Sequence, residues 1–112
     1  MNELSSHRCA ACTSDTPRLS QDEVARLLPQ VDAYALEADG RGIFRSYRFK
    51  NYYETMAFVN ALAWIAHAED HHPELLVAYA SVRVHFSTHA TDGLSMNDFI
   101  CAAKVNRLLS GP

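Results

Sequence analysis

The chain has 112 residues, 48% of them hydrophobic and 21% charged, with a formal net charge of −3. That length holds one compact domain and leaves no room for a second. The weakly acidic balance excludes direct binding to nucleic acid, which needs clustered Lys and Arg, whereas here only Arg45, Arg48 and Lys50 come close together.

Residues 1–19 read as a flexible N-terminal arm, polar and small, with Pro17 near its end. No signal-peptide core lies in Met1 to Ser6, and no apolar run approaches the roughly 20 residues that span a membrane. Three cysteines, Cys9, Cys12 and Cys101, are an odd count, which argues against a secreted disulfide framework. The expectation is a cytoplasmic protein with a single domain over residues 20–110.

Three helix starts share one signal, a capping residue followed three positions later by an acid. Ser20 to Glu23 opens the first helix, with Val24, Leu27, Leu28 and Val31 at helical spacing and Pro29 set to end it early. Between the first and second helices the period changes to two. Ile43 to Phe49 alternates as a half-buried strand, and Tyr34 to Glu37 can pair with it through a turn at Asp39-Gly40. Asn51 to Glu54 opens the second helix, whose stripe of Met56, Val59, Ala63 and Ala66 is widened by Phe58, Leu62 and Ile65 and predicts a well-buried element. Leu75 to Tyr79 is a short strand. Val82 to Thr88 is a clearer one, with Val82, Val84, Phe86 and Thr88 on one side and Arg83, His85, Ser87 and His89 on the other. Ser95 to Asp98 opens the third helix, with Cys101, Ala102, Val105, Leu108 and Leu109 on one face. The order α-β-β-α-β-β-α predicts an α+β two-layer sandwich, a mainly antiparallel sheet with its helices on one face.

Four of the six histidines fall between residues 67 and 89. His67-Ala68-Glu69-Asp70-His71-His72-Pro73 sits where the second helix must end, because Pro73 pushes His72 out of the helical region. His85 and His89 lie at or near the end of the last strand. One helix end and two strand ends can converge on a cleft, bringing His71, His72 and His89 together. Three readings stand side by side. His67 suits a helix C-terminus, where a cation meets the dipole, and His85 an ordinary surface position. A metal site would use His67 and His71 at i, i+4, or Cys9 and Cys12 with His7, although neither completes a ligand set. Metal-free acid–base catalysis would use the imidazoles, which give and take protons near neutral pH as a dehydration requires. Cys101 reads as core packing. Cys9 and Cys12 read as an exposed feature of the arm, with metal or redox use as the alternative.

The run His67, His71-His72-Pro73, Tyr79, His89 and Asp98 resembles the signature of the pterin-4a-carbinolamine dehydratases. Phe49-Lys50-Asn51, Ser87-Thr88-His89 and Gly93-Leu94-Ser95 agree with it, and the resemblance covers roughly residues 18–108. It implies a four-stranded antiparallel sheet and dehydration of the carbinolamine that an aromatic amino acid hydroxylase leaves on tetrahydropterin, as in tetrahydrobiopterin recycling. It implies His71, His72 and His89 as catalytic residues, and Asp70, Pro73, Ser87, Thr88 and Ala90 as substrate-binding ones. His67 and Asp98 stand behind them, Asp98 chiefly as the acid of a capping box. It further implies no cofactor or metal, a pterin substrate, a hydroxylase as a possible partner and a homodimer or homotetramer. The alternative function is a non-enzymatic dimerisation or regulatory partner of another protein, since relatives also act so. The chain departs from many relatives at His67, where they carry Glu, and at Leu75, where they carry an aromatic.

Overall fold

The computed structural model describes residues 4–109. The first three residues of the expected arm and residue 110, the expected domain end, lie outside that range. The elements in chain order are α1 (Gln21–Leu27), β1 (Ala35–Leu36), β2 (Ile43–Arg48), α2 (Tyr52–Glu69), β3 (Glu74–Val77), β4 (Ser81–Phe86) and α3 (Met96–Arg107). The strands form one antiparallel sheet in the order β1-β2-β4-β3. This is the predicted α+β architecture.

Each helix begins as its cap dictates. Ser20 accepts from the Glu23 amide while Glu23 reaches back to the Ser20 amide, and Ser95 and Asp98 form a second box of this kind. At α2 the Asn51 side chain caps the Glu54 amide, but Glu54 Oε1 accepts from Lys50 instead. Pro29 ends α1 by turning the chain into a short 3₁₀ segment, Leu28–Gln30. The β1–β2 turn closes with Glu37 N–H donating to Gly42 O at 2.8 Å, and Gly40 takes the φ of +73° that a side chain would resist.

Register places Ile43 opposite Phe86 and Tyr47 opposite Val82, so these four side chains share the inner face with Val84. α2 and α3 pack against β4 on that face, and Val24, Leu62, Phe99 and Val105 complete one core. Phe44, Ser46, Arg83 and His85 alternate onto the opposite face.

The two long helices differ from their sequence reading. The buried stripe of α2 is Thr55, Phe58, Leu62 and Ala66, with Val59 and Ile65 at its margins and Ala63 exposed. Tyr53 is 85% exposed and Trp64 68%. α2 therefore covers the sheet with one side only. α3 is the buried helix: every residue from Asn97 to Ala103 is buried, while Leu108 and Leu109 emerge from the core. Leu4–Ser6, within the segment expected to be a loose arm, packs against it. Leu4 is buried there, Lys104 Nζ donates to Ser5 O at 2.9 Å, and Leu19 N–H donates to Leu94 O at 2.8 Å. One buried leucine stabilises this docking by roughly 2 kcal/mol, enough to hold a short segment that has little structure of its own.

Candidate active site

α2 ends at Asp70, which takes the left-handed conformation (φ 52°, ψ 44°) usually given to glycine, and its amide closes the last turn onto Ala66 and His67. The His71 amide donates to Ala66 O, and the chain then runs without regular structure through His72 and Pro73 into β3. On the facing side, β4 stops at Phe86. Thr88 and Gly93 pair as an isolated bridge that closes a loop carrying a 3₁₀ turn, His89–Thr91. The two chain reversals, one after α2 and one after β4, flank a cleft of about 640 Å³.

His71, His72, His89, Asp70, Ser87, Thr88 and Ala90 all line this cleft. Helix end and strand end thus bring seven of the expected site residues together. Pro73 is not part of the lining; it directs the chain from His72 to β3. His67 lies outside as well, its ring 5.2 Å from that of Trp64. Leu75 is half-buried against the core and off the cleft, so neither His67 nor Leu75 is part of its walls.

His71 is the most constrained imidazole. Its Nε2 lies 2.6 Å from Asp98 Oδ1, its ring stacks parallel on Phe86 at 6.1 Å, and its side chain is 10% exposed. Asp98 is fully buried, and its other oxygen accepts from the Thr88 hydroxyl at 2.7 Å and the Ser95 amide at 2.9 Å. Thr88 spends its one proton on Asp98, so the Ser95 hydroxyl must donate to Thr88 across their 2.7 Å contact. A carboxylate surrounded by donors asks the same of His71. With a carboxylate as its partner Nε2 is the donor of this contact, and Nδ1 is the ring nitrogen that Asp98 does not engage. Asp98 is therefore both the capping acid of α3 and the residue that orients His71. His72 and His89 are exposed at the cleft.

The third wall was missed by sequence reasoning. Arg8, Cys9, Ala10, Ala11 and Cys12 cross the cleft as a strap, joined there by Ala68, Glu69 and Asn97. Asn97 holds it as a strand would: Oδ1 accepts from Ala10 N–H at 3.0 Å and Nδ2 donates to Ala10 O at 2.7 Å. Glu69 accepts from Cys9 N–H at 2.8 Å and pairs with Arg8 at 3.0 Å and Lys104 at 3.7 Å. Burial works to raise the Glu69 pKa, but the Cys9 amide, Lys104 and Arg8 together hold it below its ordinary value. The Cys9–Cys12 spacing was the visible signal. Nothing local showed that it docks on residues more than eighty positions away.

Among the described residues, no group of three His, Cys, Asp or Glu side chains is arranged to hold a metal ion.

Fold and cleft define a small α+β enzyme whose site, built from imidazoles, a buried carboxylate and hydroxyls, is suited to moving protons. A family profile described as "Pterin 4 alpha carbinolamine dehydratase" matches residues 17–108, and the chain belongs to that family of hydro-lyases. A Legionella pneumophila (strain Corby) protein, provisionally named a pterin-4-alpha-carbinolamine dehydratase, is 51% identical over 109 residues, covering 96% of each chain. A Stenotrophomonas maltophilia (strain R551-3) protein of the same provisional name is 54% identical over 105 residues, covering 94% of this chain and 90% of its own. Among solved structures, a Brucella melitensis protein described as a transcriptional coactivator/pterin dehydratase superposes with a TM-score of 0.79 at 32% identity, over 81% of this chain and 97% of that one. A pterin dehydratase-like protein described as a RuBisCO assembly factor in the alpha-carboxysome shares the fold, with a TM-score of 0.62 at 20% identity, over 71% of this chain and 93% of its own.

Proposed function

We propose that this chain removes water from a 4a-hydroxytetrahydropterin by histidine acid–base catalysis, yielding quinonoid dihydropterin. The C4a–OH bond breaks, the N5 proton leaves, and the electron pair closes the C4a=N5 double bond. The observation that carries this reading is the gathering of His71, His72 and His89 on one cleft, with His71 oriented by Asp98. An elimination needs a proton donor at the departing hydroxyl and an acceptor at N5, and imidazoles supply both near neutral pH. Asp70, Ser87 and Ala90 would contact the pterin beside them. The hydroxyl of Thr88 is committed to Asp98, so its part is to position. The reaction that supplies the substrate is hydroxylation of an aromatic amino acid at the expense of tetrahydropterin, the recycling role expected for tetrahydrobiopterin in the cytoplasm.

The test generates the carbinolamine in place with a phenylalanine hydroxylase and follows its decay by ultraviolet absorbance in buffer containing a chelator. Acceleration by the native chain that survives the chelator and collapses in His72→Ala is expected. Decay no faster than the spontaneous reaction would overturn the reading.

A second reading, association with protein, is favoured by the apolar side chains left on the surface. Tyr53 and Trp64 stand out from α2, and Leu76, on the edge strand β3, is 67% exposed. An unpaired edge invites pairing with another chain, which suits a homodimer or homotetramer. Sedimentation of the native chain beside Leu76→Lys tests this: a monomer in both would remove the support.

A further inference from the structure

Cys9 and Cys101 are 92 positions apart in sequence, yet their sulfur atoms lie 3.5 Å from each other. Cys101 sits in the middle of buried α3, with no exposure, and Cys9 is half-buried at the edge of the cleft. We propose that Cys9 and Cys101 form a reversible disulfide that fastens the strap of residues 8–12 across the cleft. Closing the bond asks the sulfurs to approach by about 1.5 Å, within what side-chain rotation and a small strap movement supply.

The surroundings select this pair over Cys9 with Cys12. Cys12 Sγ faces Asn97 Nδ2 at 3.5 Å and its own segment's Ala10 O at 3.8 Å. Cys9 Sγ faces Cys101 and, at 3.7 Å, the Asn97 carbonyl. The two thiols also have separate roles. The contact with Cys9 and burial both push the Cys101 pKa far above the ordinary thiol range. Cys9 is the more exposed residue of the pair and lies at the cleft, so it reacts first.

The oxidant is a low-molecular-weight disulfide such as glutathione disulfide. The Cys9 thiolate attacks one of its sulfurs, the S–S bond breaks, and one glutathione leaves as thiolate and takes up a proton. The Cys101 sulfur then attacks Cys9 Sγ, and its proton passes to the departing glutathione sulfur. The mixed disulfide breaks and the second glutathione departs as thiol. Two electrons pass from the protein thiols to the oxidant, and the reverse exchange with glutathione restores both thiols. In the reduced state non-covalent contacts hold the strap, among them those to Asn97, Glu69 and Ala68 and the docking of Leu4. In the oxidised state a covalent bond into the core is added to them. The link stands independently of the dehydration reading, because it is read from thiols and amides and not from turnover.

The experiment incubates the native chain and Cys12→Ser, folded, in glutathione/glutathione disulfide buffers of rising oxidised fraction. Free thiols are then trapped by alkylation and unreduced peptides mapped by mass spectrometry. Both proteins should lose two thiols together and yield one crosslink, Cys9 to Cys101, reversed by excess glutathione. Amide exchange at Cys9 and Ala10 should slow in the oxidised form. A Cys9–Cys12 link in the native chain would overturn the proposal, as would glutathione remaining on Cys9 with Cys101 unlinked, or no oxidation at all. An unchanged exchange rate at Cys9 and Ala10 in the linked protein would overturn the fastening of the strap.

Discussion

Two histidines of this protein are built from the same parts and end in different places. His71 pairs with Asp98 at 2.6 Å and stacks parallel on Phe86, while His85 pairs with Glu37 at 2.5 Å and stacks on Phe44. The first pair lies at the cleft, with the imidazole 10% exposed and a carboxylate that water does not reach. The second lies on the opposite face of the sheet, 26% and 30% exposed. Imidazole, carboxylate and aromatic ring therefore do not make a site by themselves. In a dry setting each lost hydrogen bond leaves an unsatisfied charge, and the geometry is stiff. On the open face water can replace either partner.

The most damaging way to probe that contrast is to remove each carboxylate. Asp98→Ala takes away the cap of α3, the partner of Thr88 and the anchor of His71 at once. It should lose about 3–5 kcal/mol in denaturant unfolding, along with most of any dehydration rate. Glu37→Ala should lose under about 1 kcal/mol and leave the rate alone. Equal losses would show that burial does not separate the two pairs.

Next come the imidazoles with no carboxylate of their own. His72→Ala and His89→Ala should each slow dehydration by about 10²–10⁴-fold, the usual worth of a general acid or base. As exposed residues they should keep stability within about 0.5 kcal/mol of the native chain. A His85→Ala protein should turn over normally in the same assay.

The strap gives smaller effects. Leu4→Ala should cost about 2–3 kcal/mol by emptying the site where the segment docks on α3. Glu69 sharpens the comparison through pH. Its pKa is lowered in the folded protein, so its charge stabilises the strap at pH values above the ordinary carboxylate pKa. That contribution disappears as pH falls through the lowered folded value. Thermal unfolding scanned downward in pH should show an acid-side loss that Glu69→Gln lacks. Trp64→Ala, at an exposed position on α2, should change monomer stability by no more than about 0.5 kcal/mol.

Much of the site was legible because its geometry is local. Pro73 after His71-His72 and the cap at Ser95 mark where α2 ends and α3 begins. Alternation along β4 sets Phe86 and Thr88 inward while leading to His89. These signals follow from helix caps and strand period, which short segments carry within themselves. They also placed Asp98 as a cap, although its second role, gripping His71, joins residues 27 positions apart.

What the sequence by itself determined was the order of elements, the antiparallel α+β plan and the set of histidines that meet, since each depends on caps, turns and periodicity. Only the tertiary structure decided that α3, not α2, is the central helix, that residues 8–12 form a wall of the cleft, and that Cys9 meets Cys101. Those outcomes depend on contacts between segments far apart in the chain, and no local pattern records which partner a side chain will find once the core has closed.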